Sequence, residues 1–308
     1  MPNEIRITSP ATVANVACGF DVLGFCLDKV GDEMVIRKTA KKGISITKIE
    51  GYNLPLNVNE NVAGISALAA YNVLKPNCGF EIEIYKKVKP GSGIGSSSSS
   101  AAGSVFGINA LLDRPLSKSD LVKFAMQGEY YASKSEHADN IAPCIYGGFT
   151  LVKSVDPLKI LELPTPDDLF AVIIHPQIEI KTSEARALLP LNVPLYSAIK
   201  QSANLGSLVH ALHTSNYQLI SESLNDLLIE PLRKKLIPNY NEVKEAALKN
   251  GALGCSISGS GPSVFALCKG NDSASSVKKA VSQIYSRTAI NFDIFISKIN
   301  TEGIKIVE

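Results

Sequence analysis

The 308-residue chain has little of what marks several classes of protein. It has no tryptophan and only 6% aromatic residues, and 31 Lys and Arg nearly balance 29 Asp and Glu, for a net charge of +2. A nucleic-acid-binding surface needs a basic excess, which this balance argues against. No apolar run reaches the roughly 18 residues of a membrane-spanning helix, and the N-terminus alternates like a first strand instead of a signal peptide. We therefore expect a cytoplasmic enzyme with neither nucleic-acid nor membrane partners.

Cysteine and histidine are present without the spacing of a metal site. The six cysteines include no Cys-x-x-Cys pair, and the four histidines no His-Glu-x-x-His motif. Most cysteines have small or apolar neighbours, which predicts buried thiols in place of ligands or disulfides. A bound transition metal is therefore not expected.

A run of glycine and serine stands out at residues 89–103, KPGSGIGSSSSSAAG. Gly91, Gly93 and Gly95 can adopt backbone angles that other residues avoid, so that neighbouring N–H groups converge on one point. A helix beginning just after them would add its positive end, and serine hydroxyls can donate to phosphate or ligate Mg²⁺. A flexible linker is the alternative. An alternating strand pattern at residues 80–88 and a helical pattern after the run favour a phosphate-binding loop.

This loop lacks the lysine of a Walker motif. Lys86, Lys87 and Lys89 stand nearby and are candidates for the missing charge, although a solvated strand edge accounts for them at least as well. A dinucleotide-binding dehydrogenase is a poor reading of the glycines, because no acidic residue ends a strand about 20 residues later.

Two further segments combine flexible backbone with polar side chains. Residues 256–263, SISGSGPS, lie between two predicted strands and form either a tight hairpin turn or a ligand loop. In the predicted loop at residues 9–24, the polar Thr12, Asn15 and Asp21 interrupt an apolar stretch. Buried polar groups need partners, so these three are either capping groups or part of a ligand site.

The pattern of elements predicts an α+β protein of two domains, residues 1–165 and 166–308. The boundary is drawn at the Pro- and Asp-rich residues 164–168. The predicted strands are 5–9, 34–38, 44–49, 80–86, 149–152, 158–163, 170–174, 254–258, 263–268 and 293–299, and the predicted helices are 61–74, 97–112, 118–132, 182–189, 195–213, 217–227, 242–250 and 273–285.

In this order and spacing, the three segments resemble the three motifs of the GHMP small-molecule kinases, named for galactose, homoserine, mevalonate and phosphomevalonate. The likeness is closest to homoserine kinases, because PAT at residues 10–12 and GFD at residues 19–21 replace the Pro-Gly-Lys of sugar and mevalonate members. Similar blocks continue through the chain at residues 128–143, 182–190, 230–238 and 258–263. The resemblance implies an N-terminal domain like domain 2 of ribosomal protein S5, a ferredoxin-like C-terminal domain, and an active site between them.

The chain departs from the family pattern at three places. Its proline before the glycine-rich loop is Pro90, one position later than usual. Ala17 and Cys18 stand where Gly-Pro is usual, and Leu232 stands where Tyr is common.

The resemblance implies ATP as phosphate donor and Mg²⁺ as cofactor. Ser97 and Glu129 would contact Mg²⁺, although a surface carboxylate is the ordinary reading of Glu129. Asn61 would contact adenine, with a helix N-cap as its alternative. The residues implied in ATP binding are Asn61, Pro90, Gly91, Ser92, Gly93, Ile94, Gly95, Ser96, Ser97, Ser98, Ser99, Thr182, Gly259 and Gly261.

The implied acceptor is L-homoserine, phosphorylated on its side-chain hydroxyl. Arg186 and Arg233 suit a bidentate clamp on its carboxylate, and Asp21 and Asn15 would bind its ammonium group. Surface positions are the usual alternative for arginines.

Catalysis is expected to depend on positioning and charge, with no single essential base. Thr12 occupies the place of the lysine that mevalonate-type members pair with an aspartate. Asn140 would orient the hydroxyl, with Asp21 and Glu129 completing the catalytic set. His137 would lie near the acceptor side chain, unless it is a buried structural histidine.

Two other readings stay open. One is a GHMP kinase with another carboxylate-bearing acceptor, such as shikimate, and the other is a non-catalytic binding module with the same fold. A homodimer is expected, because it is common among such relatives.

Overall fold

The structure is a computed structural model that describes residues 2–133 and 137–307. The strands are β1 (Glu4–Val16), β2 (Gly19–Thr39), β3 (Gly43–Glu50), β4 (Gly79–Tyr85), β5 (Phe149–Val155), β6 (Leu158–Leu163), β7 (Leu169–Pro176), β8 (Ala252–Ile257), β9 (Val264–Lys269), β10 (Phe292–Lys298) and β11 (Lys305–Ile306). The α-helices are α1 (Val62–Leu74), α2 (Ser96–Leu111), α3 (Lys118–Ser133), α4 (Ile141–Tyr146), α5 (Thr182–Ala187), α6 (Leu195–Thr214), α7 (Tyr217–Ser223), α8 (Glu230–Arg233), α9 (Tyr240–Lys249) and α10 (Gly270–Tyr285).

The first sheet carries a layer of helices on one face. Its strand order is β11-β1-β2-β4-β3, with β5 joining β2 to β6, and β3 with β4 is the parallel pair. Helices α1, α2 and α3 pack on one another, and α2 packs on β1 and β2. The alternation in β4 buries Phe80, Ile82 and Ile84 in a core shared with Val105 and Ile108 of α2. Hydrophobic burial between sheet and helices thus fixes where α2 begins relative to β4.

The second sheet is antiparallel, in the order β10-β7-β9-β8. Numbered along the chain from β7, this is the order 4-1-3-2, and α9 and α10 pack on the sheet. Ala171 and Ile173 of β7 pack into the core towards the first sheet, and Val172 and Ile174 into the core under α10. Burial on both faces explains why β7 is continuously apolar. The α+β fold with a ferredoxin-like second part is confirmed.

The two sheets meet in a shared aromatic core. The ring of Phe25 lies 5.0 Å from that of Phe149 and 5.8 Å from that of Phe265 in the second sheet. The chain crosses from one sheet to the other between β6 and β7, and β11 returns to pair with β1. The domain limits stay a prediction. Residues 305–306, which the prediction assigns to the second domain, pair with β1 in the first sheet.

Residues 9–24 are not a loop, and that expectation is wrong. They form the end of β1 and the start of β2, joined by a turn at residues 17–18. Two register shifts between the strands admit the polar residues, and Asn15 and Asp21 have φ of +56° and +58°. Both are residue types that tolerate the left-handed region through local hydrogen bonds. The short helices α4 and α8, which contain Pro143 and Pro231, were also not predicted.

No helix in the two described stretches is both long and apolar enough to cross a bilayer.

Candidate active site

A cavity of about 360 Å³ lies where the helices of the first sheet face the loops of the second. Its volume is in the ordinary range for small-molecule sites. The predicted site residues that line it are Asn15, Asp21, Asn61, Pro90, Gly91, Ser92, Gly93, Gly95, Ser96, Ser97, Glu129, His137, Asn140, Thr182, Arg186, Arg233 and Gly259. Ile94, Ser98, Ser99 and Gly261 lie outside this lining.

The glycine-rich loop needs glycine at three positions. Gly91, Gly93 and Gly95 have φ of +73°, +81° and +66°, in the region that favours glycine. A Cβ on Gly93 would lie 2.5 Å from the carbonyl oxygen of Gly261, and one on Gly95 would lie 2.1 Å from Oγ1 of Thr12. Helix α2 begins directly after Gly95 without a side-chain cap. Its first-turn N–H groups therefore have no capping side chain and can meet an anion.

The three sequence segments are hydrogen-bonded to one another. The main-chain N–H of Thr12 donates to the carbonyl of Ile94 at 3.2 Å, and the N–H of Gly259 donates to Ala14 at 3.0 Å. The hydroxyl of Ser258 donates to the carbonyl of Gly93 at 2.7 Å. The segment at residues 256–263 is thus both a turn that holds the glycine-rich loop and part of the cavity wall.

Three of the predicted phosphate-binding serines make contacts inside the protein. The Ser96 hydroxyl donates to the carbonyl of Val88 at 2.9 Å. The Ser99 hydroxyl donates to the carbonyl of Ser9 at 2.8 Å, which directs it into the first sheet. The Ser98 hydroxyl donates to Oε2 of Glu129 at 2.8 Å. Their hydroxyls therefore support the loop, and contact with a nucleotide stays a prediction.

Lys86 is not part of a solvated strand edge. Its side chain is 2% exposed and forms an ion pair with the fully buried Asp32, and its Nζ donates to the carbonyl of Ser96 and to the hydroxyl of Ser100 at 2.9 Å. Burial lowers the pKa of Lys86, and the Asp32 carboxylate opposes this. The alternation that buries Ile84 puts Lys86 on the same face, so the sequence held the signal. This pair places the Lys86 ammonium group beneath the first turn of α2, with its charge balanced by Asp32.

Glu129, on α3, meets the same helix start. The residue is half-buried, and burial raises the pKa of its carboxyl, while hydrogen bonds from Ser97 and Ser98 lower it. Within the described residues, no three His, Cys, Asp or Glu side chains are grouped to hold a metal ion. Carboxylate and hydroxyl oxygens are nevertheless the donors that Mg²⁺ prefers, and Mg²⁺ is usually held by one or two carboxylates together with substrate phosphates.

At the other end of the loop the cavity wall is apolar, with Leu54, Pro55 and Val62. Asn61 caps α1 there: its Oδ1 accepts the N–H of Ala63 at 2.9 Å, and its Nδ2 donates to the carbonyl of Pro55 at 2.9 Å. The N-cap alternative is therefore correct. Contact with adenine stays a prediction for the same side chain, which also lines the cavity.

Opposite the loop, a carboxylate and two guanidinium groups gather around one ring. Arg186 Nη2 lies 3.0 Å from both carboxylate oxygens of Asp21 and donates to Nε2 of His137 at 2.9 Å. The guanidinium carbons of Arg186 and Arg233 lie 5.8 and 5.0 Å from the ring centre of Phe20. Burial lowers the pKa of His137, which favours a neutral imidazole that accepts from Arg186. The role of Phe20 under both arginines was missed, although GFD was noted.

Arg233 and Asn15 join this group to the loop at Gly259. Arg233 is 3% exposed, and its guanidinium donates to the carbonyls of Ala185 at 3.1 Å and Gly259 at 3.3 Å. Asn15 donates to the same Gly259 carbonyl at 2.8 Å and accepts the N–H of Asp21 at 2.7 Å. Main-chain contacts therefore set the orientation of the charged side chains.

Between the two ends lie Asn140 and Asp139. Thr12 donates to Oδ1 of Asn140 at 2.8 Å, so Thr12 orients the amide. Asp139 also lines the cavity, is 3% exposed and was not predicted as a site residue. Burial, followed by the charge of Asp21, raises the pKa of Asp139 to about 7. The signal that was available is weak, because Asp139 stands between the polar residues 134–137 and the apolar residues 141–145.

Comparisons with known proteins agree with this geometry. Residues 62–148 match the family described as GHMP kinases N terminal domain, and residues 208–287 match GHMP kinases C terminal. The chain is 40% identical to homoserine kinase of Chlorobium phaeobacteroides, covering 96% of this chain and 97% of that one. It is 42% identical to the Chlorobaculum tepidum homoserine kinase, with 96% of each chain covered.

Solved structures give the same result. The crystal structure of homoserine kinase from Cytophaga hutchinsonii matches with a TM-score of 0.96 and 46% identity, over 100% of this chain and 98% of that one. The L. major mevalonate kinase in complex with R-mevalonate matches with a TM-score of 0.74 over 97% of each chain, and at 14% identity it shows a shared fold alone. Identity at this level over nearly the whole of both chains shows that the chain belongs to the homoserine kinase family of the GHMP kinases.

Proposed function

We propose that the protein transfers the terminal phosphoryl group of ATP to the side-chain hydroxyl of L-homoserine, giving O-phospho-L-homoserine for threonine biosynthesis. The observation that carries this is the cluster of Asp21, Arg186 and Arg233 in the same cavity as the glycine-rich loop. A zwitterionic amino acid needs one carboxylate for its ammonium group and guanidinium donors for its carboxylate. The names of the relatives supply the acceptor.

On the donor side, residues 91–97 would hold the triphosphate through main-chain N–H groups and the start of α2. The Ser92 side chain fits this role, since the residue is 1% exposed, lines the cavity and has a hydroxyl without a hydrogen-bond partner among the described residues. The apolar wall near Asn61 would cover adenine. Thr182 and Gly259 line the same cavity.

Mg²⁺ is proposed as cofactor, held by Glu129 and Ser97 with the phosphates. When bound, the ion neutralises charge on the phosphates. Because Glu129 already accepts hydrogen bonds from serine hydroxyls at the start of α2, its carboxylate is oriented towards the phosphate loop. Lys86, paired with Asp32, supports the same helix turn from below through its hydrogen bond to the carbonyl of Ser96.

On the acceptor side, the pair between Asp21 and Arg186 would open to admit the substrate. The ammonium group of the substrate would replace Arg186 beside Asp21. The carboxylate of the substrate would then accept hydrogen bonds from Arg186 and Arg233. Asn140, held by Thr12, would then orient the hydroxyl in line with the phosphoryl group. The protein's contribution is positioning and charge stabilisation, without a dedicated base.

The test is a panel of acceptors with MgATP, followed by ADP release. We expect L-homoserine to react, and shikimate and 4-hydroxybutyrate to react poorly, because neither of these two has an ammonium group to pair with Asp21. A preference for shikimate would refute the proposed acceptor, and no turnover with any alcohol would favour a binding module.

Arg186→Ala sharpens the test. It should raise the KM for homoserine by about 100-fold, as a charged hydrogen-bonding pair contributes up to about 3 kcal/mol, and leave the KM for ATP nearly unchanged. Arg287→Ala is the matched control, since Arg287 is exposed in the turn that follows α10 and does not line the cavity. Equal effects of Arg186→Ala on both substrates would contradict the clamp.

The remaining proposals rest on the family resemblance. We propose a homodimer in the cytoplasm, and domains at residues 1–165 and 166–308. Light scattering coupled to size-exclusion chromatography tests the dimer, and a monomeric mass at assay concentration would contradict it.

A further inference from the structure

A buried histidine outside the cavity is joined to the glycine-rich loop by one serine. His175, near the end of β7, is 3% exposed, and its Nδ1 lies 3.1 Å from the hydroxyl of Ser263. The Ser263 hydroxyl lies 2.6 Å from the carbonyl oxygen of Ser92, and the Ser263 N–H donates to the same oxygen at 3.3 Å. These hydrogen bonds therefore link His175, Ser263 and Ser92 in a series that runs from the second sheet into the loop.

The chemistry of these groups fixes the direction of each hydrogen bond. A carbonyl oxygen only accepts, so the single hydroxyl proton of Ser263 must be donated to Ser92. The Ser263 oxygen then has only lone pairs to offer His175, and Nδ1 must carry a proton. Nε2 of His175 is buried and has no hydrogen-bond partner among the described residues, which suits the unprotonated nitrogen of this tautomer better than an N–H.

This series of hydrogen bonds holds the peptide group between Ser92 and Gly93. In a planar trans peptide the C=O and N–H point in opposite directions. With the Ser92 carbonyl directed to Ser263, the N–H of Gly93 is directed to the other side, where Gly93 lines the cavity. The next carbonyl, that of Gly93, is held in a similar way by Ser258.

We propose that His175 is a positioning residue of the nucleotide site: as an Nδ1–H donor to Ser263, it fixes the Ser263 hydroxyl on the Ser92 carbonyl and thereby the orientation of the Gly93 amide. The proposal rests on the proposed function only in taking residues 91–97 as the triphosphate loop. His175 itself touches no substrate, and its effect passes through two hydrogen bonds.

The tautomer is measured first, on wild-type protein with ¹⁵N-labelled histidine and no ligand. Long-range ¹H–¹⁵N correlations distinguish a protonated Nδ1 from a protonated Nε2, and the His175 ring is assigned through its own backbone resonances. We expect the Nδ1–H tautomer. An Nε2–H tautomer would overturn the proposal without any variant having to fold.

His175→Asn and His175→Gln form a matched pair of amides for the second measurement. The asparagine amide nitrogen can take the place of Nδ1, whereas the longer glutamine side chain puts its amide near the position of Nε2. Binding of MgATP without an acceptor is measured by calorimetry. We expect His175→Asn to bind within about twofold of wild type and His175→Gln and Ser263→Ala to bind about tenfold more weakly, the effect of about one hydrogen bond.

The double variant His175→Gln with Ser263→Ala should bind MgATP no more weakly than Ser263→Ala alone, because both changes interrupt the same series of hydrogen bonds. If both histidine variants lower the melting temperature and leave MgATP affinity at the wild-type value, His175 is only structural and the proposal is overturned. A wild-type protein that binds no MgATP would overturn it together with the proposed donor site. Failure to phosphorylate homoserine would refute only the proposed acceptor, since neither measurement includes one.

Discussion

Replacing Asp139 with asparagine should stabilise the protein at alkaline pH and change turnover little. Asp139 is 3% exposed, and burial raises the pKa of its carboxyl from 3.8 to about 7. Between these two values the folded protein keeps a proton on Asp139 that the unfolded chain releases. The free energy of unfolding therefore falls as the pH rises through this window, and the asparagine variant does not share this loss.

The size of the effect follows from the pKa. The relative stability changes from about pH 5 up to the folded pKa of about 7 and then stays level. This range covers about two pH units, so the stability of Asp139→Asn relative to wild type should be about 3 kcal/mol higher at about pH 8.5 than at about pH 5. Urea denaturation at the two pH values measures it, and Asp167→Asn, at an exposed aspartate, is the control that should show no such change. A stability difference that does not vary with pH would refute the reasoning about burial.

The same variant tests the mechanism without a base. The proposed mechanism needs no proton acceptor, so we expect kcat to stay within about threefold of wild type, far from the 100-fold or greater loss of a general base. Such a loss, together with the disappearance of an inflection near neutral pH in the rate profile, would identify Asp139 as the base and overturn catalysis by positioning alone.

Three further changes test the donor side. Lys86→Met should destabilise the fold by about 3 kcal/mol in urea denaturation, because it leaves the Asp32 carboxylate buried without its charge partner, and adding Asp32→Asn should recover most of the loss. Gly93→Ala should weaken MgATP binding about tenfold or more, because the added Cβ meets a carbonyl oxygen 2.5 Å away at a φ of +81° and strain of about 1–3 kcal/mol results. Gly206→Ala, whose added Cβ meets nothing within 4 Å, should leave binding unchanged, and equal losses in both would contradict this. Glu129→Gln should raise the Mg²⁺ concentration for half-maximal rate by about tenfold or more, and an unchanged value would remove Glu129 from the proposed Mg²⁺ site.

Local sequence was enough wherever one short segment decides its own shape. Gly91, Gly93 and Gly95 predicted a loop of positive φ before α2, and the structure has it. The alternation in β4 and the helical pattern of α2 were likewise readable, because each reports one buried face. The alternation in β4 also predicts that Lys86 is buried, whereas its charged side chain predicts exposure to solvent. The structure agrees with the alternation.

What the sequence by itself determined is the kind of chemistry: a loop for phosphate, and residue types suited to a zwitterionic acceptor, recognised through family blocks in a consistent order. Only the tertiary structure decided which charges meet. The pairs Lys86 with Asp32 and Arg186 with Asp21 join residues 54 and 165 positions apart, and the pKa of Asp139 near 7 depends on burial between several elements. Burial and pairing of charge are properties of packed neighbours, and residues distant in the chain become neighbours only once the two sheets close around the cavity.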